Sequence, residues 1–148
     1  SAFNHDARSH AEAYGLMHVL PREADRIAAK NNIPFTRTED LVNPEINIPI
    51  GASHLKTLRE RFKGQFISNV ASYNAAYTAV HGWLRTRYQG DSLTFIEDIP
   101  YAETKSYVKL IFRNFVIYKR LNLAMESVPF PHWCFNTLDQ YAKQANSN

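Results

Sequence analysis

Apolar residues recur at helical spacing along most of this chain, and recognisable start and stop residues bound the segments they define. Pro21 suits a first helical turn, and Ala24, Ile27 and Ala28 follow at i, i+3, i+4 spacing over Arg22 to Lys30. Asn31-Asn32-Ile33-Pro34 ends that helix. Thr36 and Glu39 have capping-box spacing and predict a short helical turn near Asp40. Asn43-Pro44 reads as N-cap and first residue of a helix running to about Phe62, with Ile48, Ala52, Leu55, Leu58 and Phe62 on one face. Pro49 falls in its first turns, where it delays the regular start, and Gly64 marks its end. Phe66 to Ala76 and Thr78 to Tyr88 predict two short helices. Tyr101 to Leu121 predicts the longest. Tyr107, Leu110, Ile111, Asn114, Tyr118 and Leu121 mark one of its faces, and Val108, Phe112, Phe115 and Ile117 fill much of the rest. A helix apolar nearly all round is expected at the centre of a bundle. Leu93-Thr94-Phe95-Ile96 is expected to be extended, without a sheet of consequence. Pro129 through Trp133 reads as irregular, and Asn136 to Gln144 as a last short helix. The class is all-α, or α with a minor β element.

Composition narrows this further. The 148 residues suit one core, and 45% apolar content is that of a globular domain. Five glycines are few for an all-β domain with many tight turns. The net charge of +3 is spread without a basic run, so a nucleic-acid partner is not supported; a weak positive field suits an anionic cell-wall polymer among other partners. A single cysteine, Cys134, excludes an internal disulfide and reads as a small, partly buried apolar residue beside Trp133 and Phe135. No stretch has the apolar length of a membrane span, and no segment of the given residues has the pattern expected of a signal peptide. The six histidines include no His-Glu-x-x-His pattern and no zinc-spaced cluster, and no glycine-rich phosphate loop occurs, so no metal and no cofactor is implied. His5, Asp6 and Ser9 do not form a triad by proximity in sequence alone.

Three stretches carry more than packing: Ser1-Ala2-Phe3-Asn4, Gly15-Leu16-Met17-His18, and Ala71-Ser72-Tyr73-Asn74-Ala75-Ala76. In this order and spacing they resemble the soluble lytic transglycosylases, lysozyme-like enzymes that cut bacterial peptidoglycan. Gly15-Leu16-Met17 is similar to that family's Gly-Leu-Met-Gln, with His18 in the fourth place. Asn43-Pro44 through Gly51, then Leu55, is similar to its Asp-Pro and glycine-containing helix. Ala71 to Ala76 is similar to Ala-Ala-Tyr-Asn-Ala-Gly, with Ala76 for glycine. Phe95-Ile96-Glu97-Asp98-Ile99-Pro100-Tyr101-Ala102-Glu103-Thr104-Lys105-Ser106-Tyr107-Val108 resembles the segment that ends the family's catalytic domain. The resemblance covers roughly Ser1 to Tyr118; one such motif is weak, whereas several in order over this length are specific.

The resemblance implies a lysozyme-like helical domain over 1–121, truncated at its N-terminus, with 122–148 as a C-terminal extension packing on it. In the family the first stretch reads Glu-Ser, and the glutamate is the acid. Here the chain begins at the serine, so the acid and the helix that it ends are expected before Ser1, in the same chain or a separate one. No residue of the chain is expected to be the acid. The implied chemistry is non-hydrolytic cleavage of the MurNAc-GlcNAc β-1,4 bond by one glutamate acting as acid and then base, leaving 1,6-anhydromuramic ends. The implied partner is the peptidoglycan glycan strand, in the periplasm or cell envelope of a bacterium.

Residue by residue, the resemblance implies that Tyr73 is a cleft tyrosine near the acid and the scissile sugar. Asn74 would hold the cleft wall or the sugar, Ser9 would bond substrate or glutamate, and Met17 would pack on a sugar face. Glu97 would be a second acid in the cleft, and His18 would replace a glutamine with a group of different reach and pH-dependent charge. Each residue also has a structural reading: core tyrosine, capping asparagine, loop serine, core methionine, exposed charge and satisfied structural histidine. Two further functional readings follow. The chain as given could grip glycan without cutting it, or it could be a lysozyme-type hydrolase with Glu97 or Glu12 as acid.

Overall fold

The computed structural model describes residues 4–123, 127–135 and 138. Among them are six α-helices and no β-strand: α1 (Pro21–Asn31), α2 (Pro44–Arg61), α3 (Phe66–Asn74), α4 (Tyr77–Arg87), α5 (Ser92–Glu97) and α6 (Ala102–Asn122), with a 3-10 turn over Thr38–Val42. Residues Ser1, Ala2 and Phe3, and all of the expected helix from Asn136 to Gln144 except Leu138, lie outside the described residues.

Most of the predicted punctuation acts as its chemistry requires. Asn32 adopts the left-handed conformation at φ 54° and donates its N–H to the Ala28 carbonyl, closing α1. Asn43 Oδ1 accepts the Glu45 N–H at 3.0 Å at the start of α2. Gly64, at φ 81°, donates to the Arg59 carbonyl at 2.7 Å after α2.

Five expectations are corrected. The turn at Asp40 is closed by Asp40 itself, not by a Thr36–Glu39 box. Asp40 Oδ2 accepts from the Thr36 N–H and Oγ1, each at 3.0 Å, and from the Arg37 N–H at 3.1 Å. Those bonds, led by the Thr36 N–H, hold the Asp40 carboxyl below its ordinary range. Pro49 does not delay α2, which is regular from Pro44; the bond that Pro49 cannot make would have gone to the carbonyl of Glu45, in an exposed turn where solvent can replace it. On α2 the buried positions are Asn47, Ile50, Gly51 and Leu58, whereas Ile48 and Ala52 face solvent. The face is chosen by what packs on it, and part of it is an amide and a glycine, which an apolar pattern does not reveal. Leu93 to Ile96 is helical, because the Asp91 carboxylate accepts the Thr94 N–H at 2.6 Å and caps α5. Ser92, Phe95, Ile96 and Ile99 are then buried at helical spacing. Finally, α6 is not central. Only Thr104 and Val108 are fully buried on it, and Leu110, Ile117, Tyr118 and Leu121 are exposed.

The chain divides into two compact units, Ser1–Thr57 and Leu58–Asn148, the boundary falling within α2. In the first unit Val19, Ala24, Ile27, Ala28, Leu41 and Ile50 form the core, with Tyr14, Met17 and Phe35 packed on it. In the second, Phe62, Ile67, Val70, Ala71, Val80, Trp83, Phe95, Ile99 and Val108 form the core, joined by Leu138. Residues beyond α6 tie into this core: Gln65 Nε2 donates to the Cys134 carbonyl at 3.4 Å and Ser92 Oγ to the Phe135 carbonyl at 2.9 Å. Cys134 is fully buried, and burial pushes its thiol up to about 11.

Candidate active site

The residues singled out in the sequence fall into two groups, one in each unit. In the first unit, isolated bridges pair Arg8 with Tyr14 and Tyr14 with Val19, folding 8–19 into two successive tight loops that share Tyr14. Ser9 closes the first loop. Its N–H donates to the Ala13 carbonyl at 2.9 Å, and its Oγ accepts the Ala13 N–H at 3.0 Å. The second loop is Gly15-Leu16-Met17-His18. Tyr14 and Val19 exchange both backbone bonds at 2.9 Å, and the His18 N–H donates to the Gly15 carbonyl at 3.0 Å.

Glycine is obligatory at the head of this loop. Gly15 has φ +73°, and a Cβ there would stand 2.2 Å from the Leu41 carbonyl oxygen and 2.5 Å from Asn47 Nδ2. The loop is fastened to α2 by one side chain. Asn47, fully buried, accepts the Met17 N–H on Oδ1 at 2.8 Å and donates Nδ2 to the Tyr14 carbonyl at 2.9 Å. One donor and one acceptor at that spacing match a carboxamide. Gly51, one turn further along α2, leaves room for Met17: a Cβ there would lie 2.6 Å from the Met17 Cβ. Met17 is consequently held half-buried, while His18 stands exposed at the loop tip with φ 48°. Holding a non-glycine residue there costs on the order of 1 kcal/mol. Sequence reasoning missed Asn47 and Gly51 as site-forming residues. The available signal was a polar residue followed at i+3 and i+4 by Ile50 and Gly51, on what proves to be the buried side.

In the second unit Tyr73 and Asn74 end α3. Tyr73 is half-buried, and burial, reinforced by the neighbouring Tyr107, raises its phenol well above the ordinary range. It is therefore a neutral hydrogen-bonding hydroxyl at any physiological pH. Asn74 is engaged by the start of α6: Thr104 Oγ1 donates to Oδ1 at 2.6 Å, and Nδ2 donates to Glu103 Oε1 at 3.1 Å. Its amide thus fixes the junction of α3 and α6, and the motif's asparagine has an architectural partner on each side.

Glu97 ends α5 and is exposed. Its carboxylate lies 2.6 Å from Lys109 Nζ, and its carbonyl accepts from Lys105 Nζ. The Lys109 hydrogen bond holds its carboxyl below the ordinary range. Glu97 borders a groove of about 510 Å3 lined by Leu93, Ile96, Val108, Phe112 and Phe135. Glu12 is exposed and paired with Arg8 at 2.6 Å. An exposed, ion-paired carboxylate lacks the apolar, desolvating pocket that a glycosidic acid needs, so neither glutamate has that setting. Among the described residues no three His, Cys, Asp or Glu side chains gather to hold a metal ion.

Residues 1–96 match the family model described as the transglycosylase SLT domain. The chain belongs to that family. It is 34% identical over 121 residues to the soluble lytic murein transglycosylase of Escherichia coli K12, covering 80% of this chain and 19% of that protein. It is 32% identical over 120 residues to the membrane-bound lytic murein transglycosylase C of Glaesserella parasuis, covering 75% of this chain and 32% of that protein. The structure of an inactive glutamate-to-glutamine variant of the lytic transglycosylase Slt from Pseudomonas aeruginosa superposes with a TM-score of 0.79 at 34% identity, over 91% of this chain and 22% of that one. The chain thus spans about 19% of the length of the first of these relatives. The all-helical architecture of this SLT domain agrees with that likeness. No described helix is long and apolar enough to cross a membrane.

Proposed function

We propose that this SLT domain is the catalytic domain of a peptidoglycan lytic transglycosylase acting in the bacterial cell envelope, in the periplasm. The observation that carries the reading is the 34% identity to a named soluble lytic murein transglycosylase over 80% of the chain. In the proposed reaction a glutamic acid protonates the oxygen of the MurNAc-GlcNAc β-1,4 bond as that oxygen leaves C1. The muramic C6 hydroxyl then attacks C1 and returns its proton to the glutamate, closing the 1,6-anhydro ring without consuming water. That the related P. aeruginosa Slt is inactive as a glutamate-to-glutamine variant supports a carboxyl group as the essential acid. We place this acid at the position preceding Ser1, where the resemblance to the family's Glu-Ser motif implies it; the ion-paired, exposed settings of Glu12 and Glu97 do not suit the role.

In this reading Tyr73 presents a neutral hydroxyl to the reacting sugar, while Ser9, Met17 and His18 contact the glycan from the two loops. Asn74 holds the wall that carries Tyr73, and Glu97 contacts substrate through its ionised carboxylate. Residues 1–121 form the catalytic domain, and 122–148 form an extension packing on it, a division that the contacts of Cys134 and Phe135 support.

Mass spectrometry of purified peptidoglycan after incubation with the natural full-length protein tests the proposal. Fragments ending in 1,6-anhydromuramic acid, lighter by one water than hydrolysis products, are expected. Reducing ends would make the protein a hydrolase, and binding without products would make it a glycan-binding module; either outcome overturns the proposal.

A further inference from the structure

An aromatic pedestal on the second unit seats a cation that no carboxylate among the described residues pairs with. Tyr77 opens α4, and its ring lies 4.9 Å from that of Phe62, which is fully buried. The guanidinium carbon of Arg61, the last residue of α2, sits over the Tyr77 ring at 4.9 Å from its centre. One turn along α4 the His81 imidazole stacks on Tyr77 at 5.9 Å and 29°. Arg85 follows a further turn on, in line with Tyr77 and His81 and exposed. Among the described residues no carboxylate pairs with Arg61 or Arg85. Cations in the last turns of α2 and α4 suit the helix dipoles, but the dipoles account for neither the Tyr77–His81 stack nor the seating of Arg61 on it.

The seating matters chemically. A guanidinium held over a ring is drawn to the ring's π face and keeps its planar fork of N–H donors for hydrogen bonding. Ordering a free arginine costs up to ~2 kcal/mol of side-chain entropy, and here much of that ordering precedes ligand binding. The group is therefore prepared for bidentate contact with a carboxylate.

We infer that Arg61, Tyr77, His81 and Arg85 form a subsite for the carboxylates of the peptide stem carried by the glycan. The inference rests on the function proposed above. Covalent geometry supports it: Tyr77 is four residues beyond Tyr73, so their Cα atoms are at most about 14 Å apart, a distance that an extended stem of four residues also spans. A stem that leaves a sugar near Tyr73 thus has the same extended length as the chain from Tyr73 to Tyr77.

Two measurements on the full-length protein test the subsite. The first compares turnover of glycan strands with and without their stems in wild type and Arg61→Gln. A rise in KM of about tenfold, or ~1.4 kcal/mol, is expected on stem-bearing strands only, with kcat and the stem-free KM unchanged. Equal changes on both substrates, or none on either, overturn the subsite. The second titrates wild type with a free tetrapeptide stem and with the same peptide carrying carboxamides in place of its carboxylates. Binding of the acid form that weakens with salt, and much weaker binding of the carboxamide form, is expected. Equal binding, or none, overturns the subsite without reference to how Arg61→Gln folds. If wild type cleaves neither strand, the proposed activity fails, and the titration still decides the subsite.

Discussion

Replacing Asn47 with alanine removes the side chain that fastens the Gly15–His18 loop to α2. Two bonds disappear together, from the Met17 N–H at 2.8 Å and to the Tyr14 carbonyl at 2.9 Å, and both backbone groups sit in partly buried surroundings. Leaving one such group unsatisfied costs roughly 1–3 kcal/mol. The Tyr14 carbonyl keeps the Val19 N–H at 2.9 Å and loses only its second bond, so the pair is worth about 1–3 kcal/mol. That is a large share of the roughly 5–15 kcal/mol by which a domain is stable. Urea unfolding of wild type and Asn47→Ala by tryptophan fluorescence reads the loss, and the NMR signal of the His18 ring reports whether the loop has moved. Asn47→Asp sharpens the test. Its carboxylate still accepts the Met17 N–H but sets a second oxygen against the Tyr14 carbonyl, so the ionised form is destabilised and its folded-state pKa is raised. Stability relative to wild type should then fall as pH rises from the unfolded-state value through that raised pKa. It should be recovered below the unfolded-state value, where the protonated acid donates to Tyr14. A loss under about 0.5 kcal/mol for Asn47→Ala, within the range of an ordinary surface substitution, together with a pH-independent Asn47→Asp, would refute the role assigned to this amide.

Other expectations follow from the same geometry. Gly51→Ala and Gly82→Ala are both helical substitutions, but a Cβ at Gly51 meets Met17 at 2.6 Å and one at Gly82 meets nothing within 4 Å. Thermal unfolding should show the first destabilised by about 1–2 kcal/mol and the second stabilised by about 0.5–1 kcal/mol; the same sign for both would contradict the packing described. Cys134, buried and with its thiol pushed up to about 11, should resist a thiol reagent in the folded protein at pH 8 and react at once when unfolded. Rapid native labelling would show that the site opens. Glu97→Gln in the full-length protein should keep kcat within a few-fold of wild type, whereas a loss of roughly 10²-fold or more would identify Glu97 as the acid. Because its hydrogen bond with Lys109 lowers the Glu97 pKa, the pair's contribution is complete above the ordinary glutamate value and is lost as pH falls through the lowered one. NMR titration of Glu97 should therefore move upward in Lys109→Met.

The helices were legible because their signals are local. Pro21, Asn32, Asn43 and Gly64 each act on backbone groups within a turn of themselves, so one sequence suffices to place them. The family was legible because its motifs are short, ordered runs that include Gly15 and Tyr73. The positions of Leu93 to Ile96 and of α6 were misread where local propensity competed with partners distant in sequence. Asp91 capped a β-prone run into a helix, and one side of α6 found a core while the other did not. The candidate site was legible by name but not by architecture. Tyr73, Asn74, Met17 and His18 stand out in the chain. That Asn74 is claimed by Glu103 and Thr104, and that a buried Asn47 holds a loop thirty residues away, depends on contacts between segments that no periodicity encodes. The amino-acid sequence by itself determined where helices start and stop and which family the chain resembles, since both follow from bonds within a few residues. Only the tertiary structure decided which helix faces are buried, which amides serve as fasteners and which ring a cation is seated on, because burial and pairing are properties of groups brought together by folding.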